Sequence, residues 1–245
     1  MRDPLVIKRK QEIRERIWDL LERSGAAAFP RPVRGRIPNF VGADEACAKL
    51  RATEEWSAAK TVKINPDAPQ RPCRERALAE GKLVIMPTPR IKEGFLLLDP
   101  RRIPRGLYRE ASTISGAFRW GVKIDPREMP KVDLVVIGSV AVNPADGARL
   151  GKSHGYAELE WGIATALGKA SEETPVATTV HELQLVDDEI PTEPFDLPVD
   201  IIATRSAVLR PAHRRPKPRG ILWDYITDDM LAEIPLLSTL KHIYL

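Results

Sequence analysis

Between Lys8 and Arg23, Ile13, Ile17, Leu20 and Leu21 recur at helical spacing in an otherwise charged segment, and Ser24-Gly25 supplies a stop. The pattern predicts an amphipathic helix over 8–23, with Lys10 and Arg14 on its charged face. Periodicity then breaks from Phe29 to Phe40, where three prolines and three arginines rule out a regular element. Residues 43–56 and 70–80 return to helical spacing, with a short strand at 61–64 between them. The apolar runs 83–86, 95–98 and 132–137 do not alternate, which is the mark of strands covered on both faces, as in a parallel sheet between helix layers. A helix over 156–167 and strands over 175–180 and 199–204 complete the alternation. The basic, proline-rich segment 213–223 cannot be helical. The expected fold is α/β, three layers around a mostly parallel sheet. One domain is expected over 1–245, with the helix 8–23 at its start and a strap over 210–245 at its end.

Composition narrows the classes. The 245 residues are 43% hydrophobic and 29% charged, enough for a core, which excludes disordered and collagen-like chains. No apolar run approaches the ~20 residues of a membrane span. Met1-Arg2-Asp3-Pro4 does not begin a secretory signal, so a cytoplasmic protein without a membrane partner is expected. Cys47 and Cys73 fit neither a disulfide framework nor a metal knuckle and read as buried thiols. With 38 basic against 34 acidic residues, the net charge of +4 suits an anionic ligand and only weakly a nucleic acid.

The segment 133–161 carries the most chemistry. It runs from a buried strand through a turn, Asn143-Pro144-Ala145-Asp146-Gly147, and then Arg149-Leu150-Gly151-Lys152-Ser153-His154-Gly155-Tyr156 into a helix. Glycines let backbone amides turn towards a phosphate, the helix N-terminus adds partial positive charge, and Arg149 and Lys152 add full charges. A Walker loop is excluded, because three residues separate Gly147 from Gly151 where that pattern needs four. The plainer alternative is a solvated, glycine-containing connection.

Arg149 to Glu158 resembles the Arg-x-Gly-x-Gly-x-Gly-Tyr-Tyr-Asp signature of the 5-formyltetrahydrofolate cyclo-ligase (methenyltetrahydrofolate synthetase) family. The likeness is closer to its methenyltetrahydrofolate synthetase domain-containing branch, through Lys10-Gln11-Glu12-Ile13-Arg14, Phe29-Pro30-Arg31-Pro32, Arg36-Ile37-Pro38-Asn39-Phe40, Pro87-Thr88-Pro89-Arg90, Gly138-Ser139-Val140-Ala141-Val142 and Arg215-Pro216-Lys217-Pro218. The resemblance implies a three-layer Rossmann-like sandwich of the NagB/RpiA/CoA-transferase-like type. It also implies an ATP- and magnesium-dependent conversion of 5-formyltetrahydrofolate to 5,10-methenyltetrahydrofolate. Such phosphoryl transfer rests on positioning and charge neutralisation rather than on a covalent nucleophile.

Carried over by position, Lys10, Arg14, Arg149, Leu150, Gly151, Lys152, Ser153, His154, Gly155 and Tyr156 hold ATP, with Arg149 and Lys152 acting on the transferred group. Glu158 and Asp196 are the magnesium carboxylates. Tyr156, Asp67 and Trp120 face a reduced folate or folate-like pterin, although Trp120 also reads as a core tryptophan. The sequence departs from the motif at Ser153 for glycine, His154 for lysine, Ala157 for the second tyrosine and Glu158 for aspartate. Those departures keep open a nucleotide- or anion-binding protein without turnover. An RNA-binding module built on 31–36 and 210–219 is the weaker alternative, for want of an aromatic-rich recognition motif. His181, at a strand end, reads equally as a ligand contact and as a structural histidine.

Overall fold

The computed structural model describes residues 2–244. Its strands are β1 (Thr61–Ile64), β2 (Leu83–Pro87), β3 (Phe95–Leu98), β4 (Val122–Ile124), β5 (Leu134–Ile137), β6 (Ala141–Val142), β7 (Arg149–Leu150), β8 (Val176–Thr179), β9 (Ile201–Ala203) and β10 (Val208–Leu209). Eight of them form one sheet in the order β10-β9-β8-β5-β1-β2-β3-β4, while β6 and β7 pair as a separate ribbon. From β9 to β2 all neighbours are parallel. The edges β3, β4 and β10 are antiparallel. The strand order reverses at β1, which is followed by β2 on one side and joined later by β5 on the other.

Alternate side chains of the uninterrupted apolar strands enter different cores. Leu134 and Val136 pack with Val62, Ile64, Val84 and Met86 under α2 (Ala43–Arg51), α3 (Glu54–Ala58), α4 (Arg71–Ala79), α5 (Tyr108–Ala111) and α6 (Ile114–Trp120). Val135 and Ile137 pack with Ile85, Val176 and Ile202 under α7 (Tyr156–Ala166) and α9 (Pro235–Tyr244), which follows the short α8 (Asp228–Glu233). The sheet is thus buried on both faces, and three layers result. A third cluster joins Ile13, Ile17, Trp18 and Leu21 of α1 (Pro4–Arg23) to Val140, Ala141 and Leu150 of the ribbon. This cluster seats the first helix against the segment that precedes α7. Cys47 and Cys73 are free and buried. No described helix is long and apolar enough to cross a membrane.

A charged residue interrupts the sheet interior. Lys63, between Val62 and Ile64, points to the α7 side, where its Nζ lies 2.5 Å from Glu160 Oε2 and 3.4 Å from Asn65 Oδ1. Burial raises the Glu160 pKa against the pull of Lys63.

The element boundaries differ from the sequence pattern where caps intervene. The first helix starts at Pro4 because Asp3 accepts from Leu5 N at 2.8 Å. The expected helix 43–56 divides because the Thr53 hydroxyl caps a new start at Trp56 N, 3.3 Å away. The C-terminal 210–245 is not a strap throughout. It is extended as far as Leu222, after which Thr227 caps α8, and Ile234, Leu237 and Leu240 bury the face that seats α9.

Candidate functional site

A cleft of about 1360 Å³ opens at the C-terminal ends of the parallel strands. Its lining includes Asn65 to Asp67 after β1, Thr88 to Arg90 after β2 and Gly138 after β5, so it straddles the point where the strand order reverses. Open α/β sheets bind ligands there, because loops diverge to opposite faces and leave a crevice. A Cβ at Gly138 would stand 2.6 Å from Ile37 Cγ2, so only glycine admits the loop that packs over this strand end.

Asx contacts make the turn that brings the glycine-containing loop to the cleft. Asn143 Oδ1 accepts from Ala145 N and Asp146 Oδ1 from Ala148 N, at 2.8 and 2.9 Å. β7 then leads into residues 151–155 and α7. Gly155, at φ +70, is the N-cap and provides no side-chain cap, and helix N-terminal amides of this kind suit an anion. Ser153 stands at φ 105, and the position therefore keeps the backbone of the glycine it replaces. Ser153→Gly should stabilise the chain by about 1 kcal/mol, read as a raised urea midpoint. An unchanged or lowered midpoint would show that the hydroxyl matters more than the strain.

The four cations expected to hold phosphate divide into two kinds. Lys152 is 39% exposed, and its one ion pair among the described residues is a 3.2 Å contact with Asp67, which leaves it accessible to an anion. Arg14 is buried at the cleft edge, and its Nε donates to Gly151 O at 2.7 Å, bracing the loop. Burial lowers its pKa, though a guanidinium remains charged. Lys10 and Arg149 also line the cleft, but both are paired within the protein. Lys10 Nζ lies 2.8 Å from Glu193 Oε2 and 2.5 Å from Asp196 Oδ2. Against a desolvation that raises it, Arg2 and Lys10 hold the Glu193 pKa at about 2. Arg149 is 3% exposed; it pairs with Glu158 and donates to Gly138 O at 2.6 Å and Leu197 O at 3.4 Å. Its charge is consumed in tying the ribbon to α7 and to the strand end.

The two carboxylates expected to bind magnesium both line the cleft. Burial raises the Asp196 pKa, Lys10 opposes this, and Glu158 adds to it. Each commits one oxygen to a cation, Glu158 Oε1 to Arg149 and Asp196 Oδ2 to Lys10. No group of three or more His, Cys, Asp or Glu among the described residues is arranged to hold a metal ion by itself. Two hard oxygen donors fit a magnesium ion that arrives with phosphate and water as its remaining ligands.

Leu150, Gly151, His154, Tyr156 and Asp67 all border the cleft. Desolvation, together with Arg90, Lys152 and Arg14, lowers the His154 pKa, so the ring is neutral at pH 7 and adds no charge. Trp120 is a correction. It does not line the cleft but packs against the core beneath α6, with Nε1 3.4 Å from Glu110. His181 is structural, capping a short turn by accepting from Leu183 N at 3.0 Å.

The sequence reading missed Arg90 and a wall from the C-terminal segment, formed by Ile221, Tyr225, Met230 and Glu233. Tyr156 donates to Glu233 Oε2 at 3.3 Å, and the Phe195 and Tyr225 rings meet edge-on with centroids 5.1 Å apart. The Thr227-Asp228-Asp229 start was a legible helix cap. Nothing in the sequence placed that helix beside residue 156.

Fold and site together define an α/β protein with a cleft lined by several basic side chains at its topological switch point. The chain belongs to the 5-formyltetrahydrofolate cyclo-ligase family, whose model matches residues 6–205. It is 42% identical over 235 residues to a methenyltetrahydrofolate synthase domain-containing protein of Mus musculus, and 40% identical over 235 residues to that of Homo sapiens. Both alignments cover 95% of this chain, which spans 63% and 61% of those relatives' lengths. The solved Aquifex aeolicus 5,10-methenyltetrahydrofolate synthetase is 19% identical, with a TM-score of 0.49 over 84% of this chain and 94% of that one, too loose a superposition to refine the site.

Proposed function

We propose that residues 1–245 form a single cyclo-ligase domain that uses ATP and magnesium to convert 5-formyltetrahydrofolate into 5,10-methenyltetrahydrofolate. The observation that carries this reading is the meeting of the uncapped α7 N-terminus with Lys152 at the strand-order reversal. The formyl oxygen takes the γ-phosphoryl group of ATP, ADP leaves, the second folate nitrogen attacks the activated carbon, and phosphate departs as that nitrogen loses its proton. In this scheme the loop amides and Lys152 neutralise the phosphates, while Arg14 holds the loop in place through Gly151. Asp67, beside Lys152, borders the folate. Glu158 and Asp196 would hold magnesium through the oxygens that Arg149 and Lys10 leave, and the bound ion supplies further neutralisation of phosphate charge.

Absorbance reports product directly when the protein is given 5-formyltetrahydrofolate and ATP-magnesium. Formation of methenyltetrahydrofolate is expected, and its absence at micromolar protein would sink the proposal. Lys152→Ala should weaken ATP binding or turnover at least tenfold, in line with about 1.5–3 kcal/mol for a charge-assisted hydrogen bond. An ATP dissociation constant and rate equal to wild type would remove Lys152 from the site.

A second reading is nucleotide or anion binding without ring closure. It is favoured by the neutral His154, by Ala157 at the position of an expected tyrosine, and by the internal pairing of Lys10 and Arg149. Calorimetry showing tight ATP binding and no 5-formyltetrahydrofolate binding would select it.

A further inference from the structure

The turn after β2 runs against local preference. Arg90 and Ile91 both stand at φ 56, in the left-handed region that residues with a Cβ seldom occupy and β-branched ones least of all. Thr88 holds the turn, since its amide and hydroxyl both donate to Gly94 O at 2.9 Å and its hydroxyl accepts from Glu93 N at 3.1 Å. Ile91 is buried beneath it. The product of this strained geometry is an Arg90 guanidinium, 53% exposed, on the cleft wall. Backbone strain persists where the surroundings enforce it, and it concentrates at ligand sites.

The fold gains little from Arg90 itself. Its ion pair is a loose 3.9 Å approach to Glu233 Oε1, and such exposed pairs contribute almost nothing to stability. Lys10 and Arg149 are held by short, buried contacts, whereas Arg90 and Lys152 keep charge to give away. Glu233 belongs to α8, beyond residue 205 where the family match ends. Its other oxygen takes the Tyr156 hydroxyl, so one carboxylate stands between two groups at the head of α7.

We propose that Arg90 is a polyphosphate-binding residue of this cleft and that Glu233 is its resting partner, displaced when the anion arrives. The inference rests on the nucleotide reading above but is tested apart from ring closure, with inorganic tripolyphosphate and ATP as calorimetric probes. Arg90→Gly keeps the left-handed backbone while removing the guanidinium. It should weaken both probes at least tenfold. Glu233→Gln removes the competing charge and should tighten both by threefold to tenfold, and the double variant should match Arg90→Gly alone.

Wild-type affinity in Arg90→Gly would overturn the proposal. So would weaker binding in Glu233→Gln, which would make Glu233 a ligand contact, or a tightening that persists without Arg90. Failure of wild type to bind tripolyphosphate would also overturn it. A chain that binds tripolyphosphate through Arg90 yet forms no methenyltetrahydrofolate would refute only the cyclo-ligase reading.

Discussion

Replacing Lys63 by methionine should lower the unfolding free energy by about 3–5 kcal/mol at pH 7, the range found when one partner of a buried ion pair is removed. Lys63 and Glu160 are both almost fully buried, and their contact joins β1 to α7. Burial already raises the Glu160 pKa with the lysine in place, and without it the folded-state value must rise further. A carboxyl group whose folded pKa exceeds its unfolded one favours the fold below the unfolded pKa and loses that advantage as pH climbs through the folded value. The defect of Lys63→Met should therefore shrink in acid and grow towards neutrality. Lys63→Met combined with Glu160→Leu should recover most of the loss, because an apolar pair carries no desolvation cost. Urea unfolding at pH 5 and pH 8 reads both effects. A single variant as unstable at pH 5 as at pH 8, or a double variant no better than the single, would contradict the ion-pair account.

A comparable loss, about 3–5 kcal/mol, is expected for Arg149→Met. The substitution leaves Glu158 without its cation and the carbonyls of Gly138 and Leu197 without their donors. The main effect falls on folding, with ATP affinity affected through the displaced loop. Adding Glu158→Gln should restore part of the stability, since the stranded charge is then gone. A normally stable Arg149→Met that binds ATP tenfold more weakly would return Arg149 to the role of a phosphate-contacting residue.

These two residues also show how much could be read in advance. The strand at 61–64 was legible because Thr61-Val62-Lys63-Ile64 alternates, and those at 83–86 and 132–137 because a short apolar run bounded by polar turns is covered on both faces wherever it lies. Phe95 to Leu98 presents the same signal, yet β3 runs antiparallel, since direction is set by the return path and not by the strand. β6 and β7, two residues each, are too short to leave a period. At the site, the loop 149–156 was legible through its glycines and its helix start. The fate of its charges was not. Nothing local to Arg149 tells that Leu197 and Gly138 close around it, and Lys10 meets Glu193 and Asp196 more than 180 residues away. A separation of 77 residues between Tyr156 and Glu233 hid the wall from α8, although the helix itself carries an ordinary cap.

The central position of β1 has a consequence for the order in which the chain can mature during synthesis. Its partners are β2, close behind it, and β5, which begins at Leu134. Its lysine must then wait for Glu160, 97 residues downstream. At about 5–20 residues per second of translation, that interval lasts roughly 5–20 s, during which β1 offers the ribosome exit an open edge and a hydrated cation. A nascent chain arrested near residue 130 should therefore be protease-sensitive and prone to chaperone capture, and one released beyond the head of α7 should acquire protection in a single late step.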